Sequence, residues 1–373
     1  MPSSREAMPT GFALGAIRGR WTIFPAQEAT DAFWGQWDDL NRRLRGRHPF
    51  LDSRFVSALL QYWGTGTEQI IACRGDAGLV AAAVLQPVRH GVWRTFLPSQ
   101  TQLGPVLVGR HSAGREMLEA IPGFAAAVEF LCQDPLYSPF GPSAEGGDVS
   151  IKPYAQTMSV TLENGFEEYW QKRSRNLKKN VAKWTRRAER QGAAIRLTQV
   201  STVGELRKAV SRYGALESQG WKGQEGTALH EDNPQGQFYA EVMERFGAEG
   251  NADVFELRIG GRLASSRLVI GNEEFRIVLK TTYDEELGEL APGRLLLYEM
   301  LQRLAEEPRS RRIEFYTKAT VDQLAWATEQ RPIFHATLFR WSALRRAAHV
   351  VKGIRDRFRG ADRDGPLQDY SEA

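Results

Sequence analysis

The segment 253–280, DVFELRIGGRLASSRLVIGNEEFRIVLK, leaves this chain few ways to fold. Phe255, Leu257 and Ile259 recur at every second position and share one face, and so do Phe275, Ile277 and Leu279. That is the period of a strand with one face on a core. Gly260-Gly261 and Gly271-Asn272-Glu273 cut the run into three short strands joined by tight turns, an antiparallel meander. The next element is not another hairpin. The segment 292–306 spaces Leu296, Leu297, Met300, Leu301 and Leu304 along one helical stripe, and RRIEFYT then reads as a further strand. A meander, a crossover helix and another strand require a mixed sheet with helices on its faces.

The same order occurs earlier in the chain. Helical patterns at 29–44 and 52–63 precede the strand-like runs TEQIIACR, GLVAAAVLQPV and GVWRTFLP, which the turn signals GDAG and RHG separate. GREMLEAI and GFAAAVEFLCQ then read as helices. In the second half, YAQTMSVTL reads as a strand and 166–191 as one long helix. GELRKAVSRYGALESQGW and GQFYAEVMERFGAEG read as helices before the meander, and TVDQLAWAT and IFHATLFRW as a closing helix and strand. The repeat is one of pattern rather than of residues. The expected fold is α/β, a mixed α+β sheet in two tandem domains at 1–150 and 151–345. The boundary falls in the Gly-, Pro- and Ser-rich stretch 138–152, and a basic tail occupies 346–373.

Composition removes several classes. With 42% hydrophobic and 25% charged residues the chain is an ordinary globular one, and its apolar runs are too short to span a bilayer. The N-terminus has no apolar core of a signal peptide, so the expected location is cytoplasmic. Cys73 and Cys132 have no metal or redox spacing and read as free buried thiols or one disulfide; the six histidines are scattered, so no metal is expected. Net charge is +4 and local: 172–190 carries nine Lys and Arg against one Glu. Within it Leu177, Val181, Trp184 and Ala188 fall on one face, and the cations cover the rest. Such a surface is either a solvated face or a phosphate contact. The basic tail at 345–359 has a small apolar face that can rest on the protein or on an anionic membrane surface.

The helix after the meander starts oddly. Ala291 is a poor N-cap, Pro292 suits the first helical position, and Arg294 puts a cation where the helix dipole favours anions. Gly293 allows close backbone approach. A bound phosphate would supply the missing acceptor and pair with Arg294. The alternative is a plain Pro-Gly turn with Asp284 or Glu289 folded back onto the helix.

Three stretches, RNLKKNVAKWTRRAERQG at 175–192, ESQGWKGQEGTAL at 217–229 and LKTTYDEELGELAPGRLLLYEML at 279–301, resemble the GNAT acyltransferase superfamily. The resemblance is to its BioF2-like or CelD-like branch, related to the FemAB peptidyltransferases. It covers roughly 166–341, with the first half as the degenerate paired domain. It implies two GNAT-like domains and a co-substrate, acetyl-CoA or another acyl-CoA. The pyrophosphate would sit on Leu290, Ala291, Pro292, Gly293, Arg294 and Leu295, and the pantetheine arm along Leu279, Lys280 and Thr281. Acyl transfer to an amine or hydroxyl then needs a base and an acid, for which Glu217, Tyr283, Asp284 and Tyr316 are the candidates. Trp221 and Lys222 would contact a small-molecule or cell-envelope polysaccharide precursor. In FemAB relatives the donor is an aminoacyl-tRNA, and Lys178, Lys179 and Arg186 would then meet its phosphates. A third reading is a non-catalytic factor in polysaccharide biosynthesis. The family's Tyr-Lys pair after the fifth strand is missing from EFYTKATVDQLAWATEQRP, where only Lys318 offers a substitute. In the first half the residues after Gly104-Pro105 are strand-like, so no cofactor site is expected there.

Overall fold

The computed structural model describes residues 19–76, 78–109, 114–220, 228–307 and 311–359. Strand β1 (Arg20–Pro25) leads into helices α1 (Asp31–Arg45) and α2 (Ser53–Trp63). The meander β2 (Gln69–Gly75), β3 (Gly78–Arg89) and β4 (Val92–Thr95) comes next, then β5 (Val106–Leu107), the short helix α3 (Arg115–Glu119), β6 (Ala127–Gln133) and β7 (Val149–Thr161). After α4 (Gly165–Gln171) and α5 (Arg175–Arg190) the order repeats. It runs β8 (Ile195–Val200), α6 (Val203–Gln219), α7 (Pro234–Gly247), then β9 (Ala252–Ile259), β10 (Arg262–Gly271) and β11 (Phe275–Tyr283). Helix α8 (Pro292–Ala305), β12 (Arg312–Glu314), α9 (Val321–Leu324), β13 (Glu329–Phe339) and α10 (Ser342–Arg359) complete the described chain.

All thirteen strands belong to one mixed sheet, in the order β1-β2-β3-β4-β6-β13-β7-β12-β11-β10-β9-β8, with β5 paired to β3. Read from its two ends the order is the same. Each end is a four-strand antiparallel run followed by one parallel neighbour, β6 beside β4 and β12 beside β11. At the centre the halves exchange strands. β7, which follows β6 in sequence, pairs with β12; β13, which follows β12, pairs with β6. The exchanged strands then pair with each other from Val149–Leu338 to Ser159–Glu329. The two tandem domains expected from the repeat are therefore joined through a continuous sheet.

One face of the sheet carries α1, α2, α6 and α7, and a single apolar cluster runs across both halves from Phe33 and Trp37 to Phe238 and Phe246. The other face has separate clusters. Leu295, Leu296, Leu297, Met300, Leu301 and Leu304 of α8 pack with Leu177 and Val181 of α5 over the second half, and Met117, Leu118 and Phe130 cover the first. Each such buried side chain is worth about 1.5–3 kcal/mol relative to exposure. The α8 stripe therefore fixes where that helix starts.

Two expected helices are corrected. GFAAAVEFLCQ forms strand β6 rather than a helix, because Val128 and Phe130 are buried with Ala127 and Cys132 between two neighbouring strands. An apolar run buried in this way carries no usable period. The long helix at 166–191 is two helices. The chain breaks at Lys172–Ser174, and the Ser174 hydroxyl accepts from the Leu177 N–H at 3.2 Å to start α5. Cys73 and Cys132 are buried and free. Residues 1–18 lie outside the described residues.

Candidate functional site

Strands β11 and β12 pair only from Phe275–Arg312 to Ile277–Glu314. Beyond that β12 leaves: the Phe315 N–H donates to Met158 O of β7 at 3.2 Å, and Tyr316 takes a left-handed φ of 42°. From Val278 to Tyr283, β11 keeps its ladder with β10 but has none with β12. A bulge marks the divergence, since Val269 pairs with Val278 and Leu268 with Lys280, leaving Leu279 as the extra residue. The result is a wedge-shaped gap lined on one side by strand backbone, at Leu279, Lys280 and Thr281.

The N-terminus of α8 stands at the mouth of this gap. Ala291 is its N-cap, in the left-handed region at φ 48° and ψ 55°, and no side chain caps the helix. The Arg294 and Leu295 N–H groups turn back to Ala291 O, at 2.9 and 3.1 Å. The Gly293 N–H meets no acceptor among the described residues. Asp284 and Glu289 do not fold back to cap it. Asp284 accepts from the Glu286 N–H at 3.0 Å and pairs with Arg262 at 2.5 Å, while Glu289 pairs with Arg187 of α5. Leu290 and Leu295 are buried anchors and Pro292 is the first helical residue. Arg294 packs over the Trp184 ring, 5.5 Å from its centre, and pairs with Asp322. Helix α5 thus borders the helix start through Trp184 and Arg187, and its Lys179, Lys183, Arg186 and Arg190 are exposed.

The remaining expected residues separate. Glu217 is buried at the end of α6: its Oε2 accepts from the Leu229 N–H at 2.9 Å, and Lys280 Nζ lies 3.6 Å from Oε1. Tyr283 is 49% exposed and borders Gly293. Asp284 is buried as a cap and ion-pair partner. Trp221 and Lys222 lie outside the described residues. Between α6 and α7 a cleft of about 420 Å³ opens, lined by Arg207, Ser211, Ser218, His230, Glu231 and Gln237.

Tyr316 lies in a different setting, a buried polar chain that sequence reasoning did not anticipate. Its hydroxyl donates to Asp134 Oδ2 at 2.9 Å and sits 2.9 Å from His48 Nε2. His48 Nδ1 accepts from the Phe50 N–H, so Nε2 carries the ring proton and donates to Tyr316. Arg331 donates to both oxygens of Asp134 and, from Nη2, to Glu314 Oε2 at 2.8 Å. Burial pushes His48 down to about 3, which keeps it neutral. The partners of His48 in this chain lie just past β6 (Asp134), in and just past β12 (Glu314 and Tyr316) and in β13 (Arg331), so no local sequence signal could have gathered them. Arg267, another residue missed, did have a signal: a cation inside the otherwise buried stretch SSRLVI of β10.

Residues 175–322 match the family description Acetyltransferase (GNAT) domain. The match is confined to that segment, which falls short of half the chain. No curated protein matches the sequence. Among solved structures, FemX is 11% identical with a TM-score of 0.51, covering 81% of this chain and 95% of its own. A conserved protein of unknown function from Bacteroides thetaiotaomicron is 9% identical with a TM-score of 0.50, covering 87% and 99%. At these identities the likeness is one of fold. The matched GNAT segment holds the meander, the β11–β12 gap and the start of α8, and ends at Asp322, the partner of Arg294. The first half repeats the GNAT strand order, but α3 is five residues long where the second half has the fourteen of α8. Among the described residues no cluster of His, Cys, Asp and Glu could hold a metal, and no helix is long and apolar enough to cross a membrane.

Proposed function

We propose that this GNAT acyltransferase uses acetyl-CoA or another acyl-CoA and transfers the acyl group directly to an amine or hydroxyl. The observation that carries the reading is the uncapped start of α8 beside the unpaired edge of β11. The Gly293 N–H and the positive end of the helix form an anion seat for the pyrophosphate, together with Leu290, Ala291, Pro292, Arg294 and Leu295. The strand edge at Leu279–Thr281 offers backbone groups to the pantetheine arm and a donor to the thioester oxygen. Glu217 is the best-placed base, a buried carboxylate on the α6 side of Lys280. It takes the proton as the acceptor's nitrogen or oxygen attacks the thioester carbon. The tetrahedral oxyanion then collapses, the C–S bond breaks, and the thiolate is protonated to free CoA. Tyr283 stands exposed at the mouth of the gap and is the remaining candidate acid. The cleft between α6 and α7 lies on the side from which a small-molecule or envelope-precursor acceptor would enter; Trp221 and Lys222 remain the acceptor contacts that the sequence suggests.

Titration calorimetry with acetyl-CoA tests the donor. Wild type should bind, and Arg294→Glu should bind at least about tenfold more weakly, since a carboxylate would then face the pyrophosphate. No binding by wild type, or equal binding by both, would sink the proposal. Transfer RNA is the rival donor, supported by the exposed cations of α5. Binding of tRNA that falls steeply with salt and needs Lys178, Lys179 and Arg186, with no acetyl-CoA binding, would favour it.

A further inference from the structure

Arg267 is 6% exposed and lies on β10 opposite Thr281 of β11. Its Nε donates to Thr281 Oγ1 at 2.9 Å, and its guanidinium carbon is 5.9 Å from the centre of the Phe315 ring, just past β12. The side chain therefore reaches from β10 across β11 toward the side that β12 has vacated. Its Nη1 is buried and meets no acceptor among the described residues. Other buried arginines of the second half are paired with anions: Arg331 holds Asp134 and Glu314, and Arg276 holds Asp253 and Glu307. In the first half, Arg45 donates to the carbonyls of Leu44 and Val108. Arg267 has one hydroxyl, and no carboxylate pairs with it among the described residues. Burial draws it down to about 10, so it remains charged at neutral pH; Tyr213 is the titratable group facing it.

An ionised group buried without a counter-ion is costly, and folding alone gives no reason to keep one at the edge of an open gap. We propose that Arg267 is a substrate-binding residue that receives a carboxylate carried by one of the two reactants beside the thioester. A guanidinium offers two parallel donors matched to a carboxylate, and Nη1 is the donor left over here. The carboxylate belongs either to the acyl chain of the donor, as in a dicarboxylic acyl-CoA, or to the acceptor, as in an α-amino acid. This inference rests on the acyl-CoA reading and deepens it.

The experiment compares wild type, Arg267→Met and Arg267→Lys. Calorimetry with acetyl-CoA and succinyl-CoA probes the donor; transfer assays with α-amino acids and their amides probe the acceptor. In one arm wild type should prefer the carboxylated compound, and Arg267→Met should lose that preference by at least about tenfold. Binding of the uncharged compound should be unchanged, and the unligated Arg267→Met protein should melt no lower than wild type, because a buried unpaired charge has gone. Arg267→Lys should fall between, keeping the charge without the fork. Loss in the first arm assigns the carboxylate to the donor, loss in the second to the acceptor. An unchanged preference in both arms for both variants overturns the inference; should Arg267→Met not fold, the same result for Arg267→Lys alone overturns it. If wild type binds no acyl-CoA at all, the acyl-CoA reading itself fails and takes this inference with it.

Discussion

At Gly293 the demands of the fold can be separated from those of the proposed anion seat. A Cβ placed at Gly293 would meet Tyr283 Cδ1 at 3.7 Å and Ser265 Oγ at 4.0 Å, ordinary contacts, and its φ lies outside the left-handed region. The folded chain therefore does not need glycine there. Gly293→Ala should raise stability by about 0.5–1 kcal/mol through helix propensity and lost chain entropy. The same methyl group would stand where a pyrophosphate must approach, so acetyl-CoA affinity should fall. Denaturant unfolding and calorimetry on one preparation check both, and a variant that loses stability or keeps full affinity would count against the anion seat. Ala291 is the complementary case: its left-handed backbone suits glycine, yet the chain holds it there to aim the first turn of α8.

At the scale of elements, the start and stop signals decide as much as the periodicity. The stripe of α8 was readable from its leucines alone, and so was its missing cap. The break between α4 and α5 was not, since apolar and cationic residues continue across it and only the Ser174 side chain marks the new start. Ser174→Ala should cost about 1 kcal/mol, read as a lower midpoint in urea. Because α5 flanks the helix start through Trp184 and Arg187, the substitution should also weaken acetyl-CoA binding more than an exposed change such as Lys179→Ala does. The strand β6 shows the opposite limit: its residues read as a helix until β4 and β13 close on either side.

For the whole molecule, the exchange of β7 and β13 makes the two halves one sheet, and the buried chain His48–Tyr316–Asp134–Arg331–Glu314 sits where they meet. Arg331→Met would leave Asp134 and Glu314 buried without their shared cation, at a cost of about 3–5 kcal/mol. Both halves should lose stability in a single unfolding transition; two separated transitions would show that they fold independently. The same region sets an acid limit. His48 is held near 3 in the folded state against 6.5 ordinarily, and His335 near 4, chiefly by burial. The unfolded chain therefore binds protons below about 6.5 that the folded one refuses. Stability should fall as pH drops from 6.5 toward 4, by up to about 1.4 kcal/mol per pH unit for each histidine. Denaturation midpoints of wild type and His48→Gln over that range should show a shallower slope for the variant.

Local order was legible from the residues themselves. The alternation of 253–280 determined the meander, the turns determined its antiparallel sense, and the missing cap and first-turn cation of α8 were readable from Ala291 to Arg294. These are short-range properties, set by side-chain period and backbone donors within a few residues. What tertiary structure decided was everything that joins distant segments. Only the folded sheet shows that β11 and β12 part after three pairs, that the halves trade their last strands, that Tyr316 is committed to a buried chain with His48 and Asp134, and that Arg267 reaches Thr281 with no carboxylate paired to it among the described residues. Sequence spacing carries no information on such contacts, because strands far apart in the chain become neighbours only through the order in which the sheet assembles them.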